Sequence, residues 1–161
     1  MLTLLDNTVL SNFAVVERSD LIRLSLGDAA ATADEAFAEC QVGMRLGRLP
    51  VCDWSWLRIL ELNEDERARY EQLRERLNAG ESACLAIAAT RGYRVFTDDR
   101  DAREIALQMQ IPISGTLGLL IRLVQQKQLA LTEANILLRR MIVAGYRSPI
   151  SDLTVILPSS G

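Results

Sequence analysis

The sequence predicts an α/β fold in three layers, with helices on both faces of a central, mainly parallel sheet of four to five strands. Short apolar runs at residues 2–5, 94–97 and 111–113 each end in small polar or acidic residues, and segments of helical periodicity lie between them. Strands joined through helices pair in parallel, because a parallel neighbour needs a long crossover connection. No internal repeat or low-complexity linker divides the 161 residues, so one domain over 1–161 is expected, with the tail from about residue 150 peripheral to it.

Residues 2–5 form the first strand. Asp6, Asn7 and Thr8 are helix-capping types, so a helix at 9–16 follows. Ser19 and Asp20 open a second short helix. In DAAATADEAFAEC, Thr32 or Asp34 caps a helix running through Gly43, with a weak strand before it. VCDWSWLRILEL begins extended, and Trp54 and Trp56 alternate across that strand. Asn63 and Glu66 stand at capping-box spacing, so 64–77 is a helix with Tyr70, Leu73 and Leu77 on one face and pairs such as Asp65 with Arg69 on the solvated side. Gly80 breaks the chain, Glu81 and Ser82 open the next helix, and Gly92 closes it. The strand at 94–97 runs into Asp98, Asp99 and a helix through Gln110. The strand at 111–113 leads through SGTLG into a helix at 117–128, and Thr132 caps a last clear helix at 132–144. The tail, SPISDLTVILPSSG, supplies an edge element and then frays. The two C-terminal helices carry more apolar surface than one face needs, which suggests a homo-oligomeric, dimer-like interface or a protein partner.

Composition excludes whole classes of chemistry. The chain has no histidine, which removes imidazole bases, Ser-His-Asp triads and His-ligated zinc. Its one lysine, Lys127, follows no glycine-rich loop, so no GK[ST] phosphate cradle exists. Cys40, Cys52 and Cys84 are widely spaced and form no CxxC pair, and they are expected as buried small hydrophobes in a reducing compartment. No basic leader or long apolar span is present, so a cytoplasmic protein without membrane contact is expected. The net charge of −3 means that attraction for a polyanion must come from local arginine clusters.

What remains is carboxylates, hydroxyls and arginines. In an open parallel sheet, functional groups gather at the carboxyl ends of strands. Asp6 stands at one such end, and Asp98 and Asp99 stand at another. Glu81 joins them if its helix packs over that edge, and Glu39, inside the third helix, can point into the same cleft. Each alone reads equally as a cap or a solvated side chain. Together, without cationic partners, they would repel one another and raise their own pKa values, a situation commonly relieved by a hard divalent cation. Mg2+ or Mn2+ suits an oxygen-only donor set, and one or two such ions make hydrolysis of a phosphate ester the expected chemistry.

Four segments, LLDNTVLSNF, FAEC, GESACLAIAATRGYRVFTDDRDAR and IPISGTLGLLIRL, together resemble the PIN-domain nucleases. The resemblance is closest to a branch with a GE helix, a TDDR turn and a GTLG motif, similar to the VapC toxins of toxin–antitoxin pairs. It implies Mg2+- or Mn2+-dependent endoribonuclease activity on single-stranded or structured RNA, and a small antitoxin protein as partner. It places Asp6, Glu39, Glu81 and Asp99 as the catalytic acids, with Asp98 competing for the fourth position, and Asp6, Glu81 and Asp99 or Asp98 as metal ligands. Thr8 and Ser11 match the small hydroxyl residues after the first aspartate. With Thr97, Thr116, Arg100 and Arg103 they are the residues expected to face substrate. Arg91 and Arg94 are also expected near the acidic turn, and Arg139, Arg140 and Arg147 in a second group. The competing reading is a binding module of the same fold, with its acidic cleft unused, acting through an oligomeric surface.

Overall fold

The protein's structure, a computed structural model, describes residues 1–157. Within them five strands form one all-parallel sheet in the order β3-β2-β1-β4-β5, composed of β1 (Thr3–Leu5), β2 (Ala30–Ala33), β3 (Arg58–Leu60), β4 (Arg94–Phe96) and β5 (Ile113–Ser114). Eight helices cover it: α1 (Asn7–Val15), α2 (Asp20–Leu26), α3 (Asp34–Arg45), α4 (Glu64–Leu73), α5 (Ala79–Arg91), α6 (Arg100–Gln108), α7 (Thr116–Gln125) and α8 (Leu131–Val143). This is a three-layer α/β/α arrangement. No helix in it is long and apolar enough to cross a membrane.

Strand alternation divides the core in two. Leu5, Ala30 and Phe96 face a cluster with Phe13, Ile22, Leu120 and Leu138 from α1, α2, α7 and α8. Leu4, Ala31 and Val95 face the other, with Leu85 and Ile87 of α5 and Ile105 of α6. Every residue of β1 and β2 is therefore buried, as parallel strands sandwiched between helices must be.

The C-terminal helices spend most of their apolar surface inside the molecule, since Leu119, Leu120, Leu123, Leu137, Leu138 and Met141 are all buried. Ile136 and Val143 remain exposed.

Several boundaries differ from the sequence expectation, each for a local reason. Gly80 does not break the chain. It lies in the first turn of α5, where a Cβ would come within 2.9 Å of the Ala36 Cα on α3. Its role is close approach of two helices, and the break falls earlier, at the Asn78 cap. Neither Thr32 nor Asp34 caps α3. The cap position is Ala33, and the Thr32 hydroxyl donates to the Leu5 carbonyl across the sheet. Thr132 likewise lies inside α8, whose cap position is Ala130. Helix α4 ends at Leu73 rather than 77, and β5 begins two residues late. Trp54 and Trp56 do not alternate along a strand. They sit in a turn ahead of β3, rings 5.8 Å apart, with Trp54 buried. The short edge element expected of the tail is a 3-10 turn at Leu153–Val155, and its Leu153 is fully buried. The expected fraying of the last residues, 158–161, lies outside the described residues.

Candidate active site

Strand order places the site. The chain winds from β1 through β2 to β3 on one side and then crosses to β4 and β5 on the other, so the order reverses between β1 and β4. At such a switch point the loops leaving adjacent strands diverge and open a crevice at the carboxyl edge of the sheet. Asp6 leaves β1, and Thr97, Asp98 and Asp99 leave β4, on the two sides of that crevice. A backbone bond from the Asp6 amide to the Phe96 carbonyl, 3.0 Å, ties the two together.

Asp6 is both a cap and a buried acid. Its Oδ1 accepts from the Thr8 amide at 2.9 Å, the Val9 amide at 3.3 Å and the Thr8 hydroxyl at 2.5 Å, which caps α1. Its other oxygen accepts from the Thr97 hydroxyl. The residue is 1% exposed, and burial pushes its carboxyl up to about 7 against the pull of those bonds, with Asp98 adding repulsion.

Glu81 arrives from α5. Asn78 and Glu81 form a capping box, Glu81 accepting from the Asn78 backbone amide at 3.3 Å and side-chain amide at 3.1 Å. Burial first, then the charges of Asp99, Asp6 and Glu39, raise its carboxyl to about 7. Glu39 is half-buried on α3 and accepts from the Gly80 amide at 2.7 Å, so the glycine that brings α3 and α5 together also fixes this acid beside Glu81. Burial raises its pKa as well.

The adjacent aspartates have different employments. Asp98 is turned toward α1 and α7: it accepts from Asn12 Nδ2 at 2.9 Å, from the Thr116 amide at 2.8 Å and from the Thr116 hydroxyl at 2.5 Å. The N-terminus of α7 therefore holds a carboxylate of the protein itself. Gly115 permits this, because a Cβ there would collide with the Asp98 carboxylate. Asp99 caps α6 through the Ala102 amide at 2.9 Å and is the acid whose charge Glu81 feels most.

The sequence-predicted residues thus converge on one edge. Some do so in other roles than expected. Thr97 and Thr116 are buried, 1% and 0% exposed, and orient Asp6 and Asp98 instead of facing an open cleft. Thr8 bridges both aspartates, its hydroxyl donating to Asp6 and accepting from the Asp98 amide at 2.9 Å. Ser11 bonds to Asn7 at 2.8 Å and lines a cleft of about 790 Å3 together with Thr8, Asp98, Asp99 and Arg100. Arg103 donates to the Thr97 carbonyl at 3.0 Å. Arg91 and Arg94 are elsewhere. The first pairs with Glu66 at 2.8 Å, and the second bonds Thr3 at the opposite end of the strands. The sequence reading passed over Asn12 and Asn78. Asn12 lies one helical turn beyond Thr8, and Asn78 repeats the Asn63–Glu66 spacing, so both left a local signal.

Among the described residues no group of three or more Asp, Glu or Cys side chains is arranged to hold a metal ion as it stands. The donor set nonetheless fits one. The five acids are in no ion pair among the described residues, their hydrogen bonds all come from neutral donors, and a carboxylate so bonded keeps lone pairs for a hard cation. Burial and mutual repulsion leave them short of positive charge, and Mg2+ or Mn2+ supplies it.

One consequence concerns pH. A carboxylate raised to about 7 holds its proton in the folded state after the unfolded chain, with ordinary values of 3.8 and 4.5, has released it. That contribution to stability is fully present below the ordinary values and is lost as pH rises through about 7. The metal-free protein is therefore expected to melt roughly 3–8 °C lower at pH 8 than at pH 5 by scanning calorimetry. A melting temperature that climbs over that interval contradicts the assignment of these acids as unpaired.

A family model described as a PIN domain matches residues 2–161, almost the whole chain. No curated protein matches it.

Proposed function

The chain belongs to the PIN-domain family, whose members are generally nucleases that use divalent metal ions, and from that premise we propose that it is a Mg2+- or Mn2+-dependent endoribonuclease, the toxin of a toxin–antitoxin pair similar to VapC. The observation that carries this reading is the convergence of Asp6, Glu39, Glu81 and Asp99 at the switch point with no ion pair to any of them among the described residues.

Asp6, Glu81 and Asp99 are the residues that would hold the cation, which supplies charge neutralisation at the phosphate and a more acidic attacking water. The protein's part is orientation. Thr8 and Thr97 donate to the two oxygens of Asp6 and fix the plane of its carboxylate. Asn12 and Thr116 hold Asp98 toward α7, which leaves Asp99 as the member of the pair that faces Glu81. Arg100, exposed on the cleft wall, is the side chain this reading assigns to a substrate phosphate. In hydrolysis the water oxygen bonds to phosphorus, the P–O bond to the leaving sugar breaks, and the displaced oxygen takes up a proton. Carboxylates accept the water's proton, there being no imidazole to do so.

A small antitoxin and a homodimer are part of the same proposal; exposed Ile136 and Val143 on α8 are apolar surface that a partner would cover. The bare binding module remains the second reading, favoured by the absence of a ready-made metal geometry among the described residues. Incubating the protein with a labelled unstructured RNA separates the two. Cleavage that requires Mn2+ or Mg2+ and stops with EDTA is the expected result, whereas intact RNA at stoichiometric protein in either metal removes the nuclease reading.

A further inference from the structure

Uncompensated charge of the other sign lies at the opposite end of the sheet. Helix α7 starts beside Asp98 at the carboxyl edge and runs back along β5. Gly118 lets it pack so close that a Cβ there would overlap the Ser114 side chain, and Ser114 stands in register with Phe96 of β4. One turn further along α7 is Arg122, and Arg94 lies two residues before Phe96 on the same face of the sheet. The helix advances about 6 Å over that turn and the strand about 6.6 Å over those residues, so the two guanidinium groups approach each other at the start of β4.

Neither arginine is neutralised, since both are outside every ion pair among the described residues. Arg94 donates through Nε and Nη2 to the Thr3 hydroxyl at 3.1 and 2.8 Å, its Cζ lies 5.7 Å from the centre of the Phe96 ring, and its Nη1 takes no part in the bonds to Thr3. Burial first, then the charge of Arg122, push this guanidinium below its ordinary range, and no carboxylate among the described residues counters them. Arg122, half-buried beside Leu119 and Leu123, has a buried Nε with no hydrogen-bond partner among the described residues. Two like charges drawn partly out of water, one with an orphaned donor, are short of an anion as the acids at the other edge are short of a cation. A carboxylate would cancel only one of them. A phosphate group carries close to two negative charges near neutral pH and three acceptor oxygens, enough for both guanidinium forks.

We propose that Arg94 and Arg122 form a binding site for a dianionic phosphate group at the end of the sheet remote from the acids, with Thr3 and Phe96 holding the Arg94 guanidinium in place. The ligand is inorganic phosphate or the terminal phosphate of a mononucleotide, which present the same group. The site goes beyond the nuclease reading and stands or falls without it.

Metal-free protein in phosphate-free buffer at pH 8 and fixed ionic strength is titrated by calorimetry with inorganic phosphate, with adenosine monophosphate and with acetate. The expected result is saturable binding of phosphate, with acetate at least about tenfold weaker. Tighter binding of the mononucleotide than of free phosphate assigns the site to a nucleotide, and equal or weaker binding assigns it to free phosphate. Arg122→Met is expected to bind about tenfold or more weakly, yet to melt at the same or a higher temperature than the parent without phosphate, because it removes one of two repelling charges and the orphaned Nε. Arg94→Lys, which keeps a charge and a donor for Thr3 but loses the fork, is expected to weaken binding about fivefold. Arg139→Gln, whose partner is Asp152, serves as the control and is expected to bind as the parent does. No saturable binding by the parent, acetate as tight as phosphate, unchanged affinity in Arg122→Met, or an equal loss in the control overturns the site. So does a melting temperature of Arg122→Met more than about 5 °C below the parent's in the absence of phosphate, which makes the arginine a structural one.

Discussion

Replacing Asp6 by Asn is expected to lower metal-dependent RNA hydrolysis by about a thousandfold or more, a loss of roughly 4 kcal/mol of transition-state stabilisation, while the protein melts at the same temperature or higher. The two halves of this prediction come from one geometry. Asparagine keeps a side-chain oxygen where the Thr8 and Val9 amides need an acceptor, and it is itself a good helix cap, so α1 keeps its start. Its amide group turns toward Thr97, whose hydroxyl rotates to accept instead of donate. The negative charge that burial and Asp98 penalise is gone, and above pH 7 that removal favours folding. Hydrolysis, however, loses the deepest carboxylate of the set. Initial rates and calorimetry on the same preparations check both parts. A melting temperature lowered by more than about 5 °C at pH 8 assigns Asp6 a structural role that the geometry does not give it.

The second large effect lies away from the site, at the other capping box. Glu66 caps α4 with Asn63 as Glu81 caps α5 with Asn78, and both glutamates are buried. Their charges meet opposite fates. Burial pushes the Glu66 carboxyl up, but Arg91 grips it with two bonds of 2.8 and 2.9 Å, and the balance holds it below the ordinary range. Glu81 is raised by burial and by the acids around it, and the bonds from Asn78 do not offset them. Arg91→Met strands the Glu66 charge at 0% exposure and removes a bond to the Glu61 carbonyl. The expected cost is about 2–4 kcal/mol in urea unfolding, with the double variant Arg91→Met/Glu66→Gln recovering part of it. A loss under about 0.5 kcal/mol for the single variant contradicts the pairing.

The contrast between these glutamates marks how far the sequence could be read. Strand ends, helix starts and their order are local properties, so the parallel α/β architecture and the positions of Asp6, Asp98 and Asp99 at the carboxyl edge were legible from short patterns. The spacing of Asn78 and Glu81 was equally local, yet the intervening Gly80 drew a reading as a helix breaker. Glycine has two uses, conformational freedom and close approach, and nothing local tells them apart. Here it is close approach, visible only once α3 packs so near that a Cβ on residue 80 would come within 2.9 Å of the Ala36 Cα. Thr97 and Thr116 show the same limit. Their hydroxyls looked open to substrate, but burial turned them inward onto Asp6 and Asp98. Arg48 lies far in sequence from the adjacent Tyr146 and Arg147, and tertiary packing alone brings them to one cleft beside the acidic turn, so no sequence pattern announced the grouping.

The central claim is that buried acids converging at the β1/β4 switch point are held for a divalent cation. Titrating Mn2+ into metal-free protein at pH 7, by calorimetry in two buffers of different ionisation enthalpy, tests it without reference to any RNA. The expected result is saturable binding to one or two sites with net release of protons, since carboxyl groups raised to about 7 must give theirs up to bind metal, and loss of that binding in Asp6→Asn/Glu81→Gln. No saturable heat, or binding that the double variant retains with the same affinity and proton count, contradicts it.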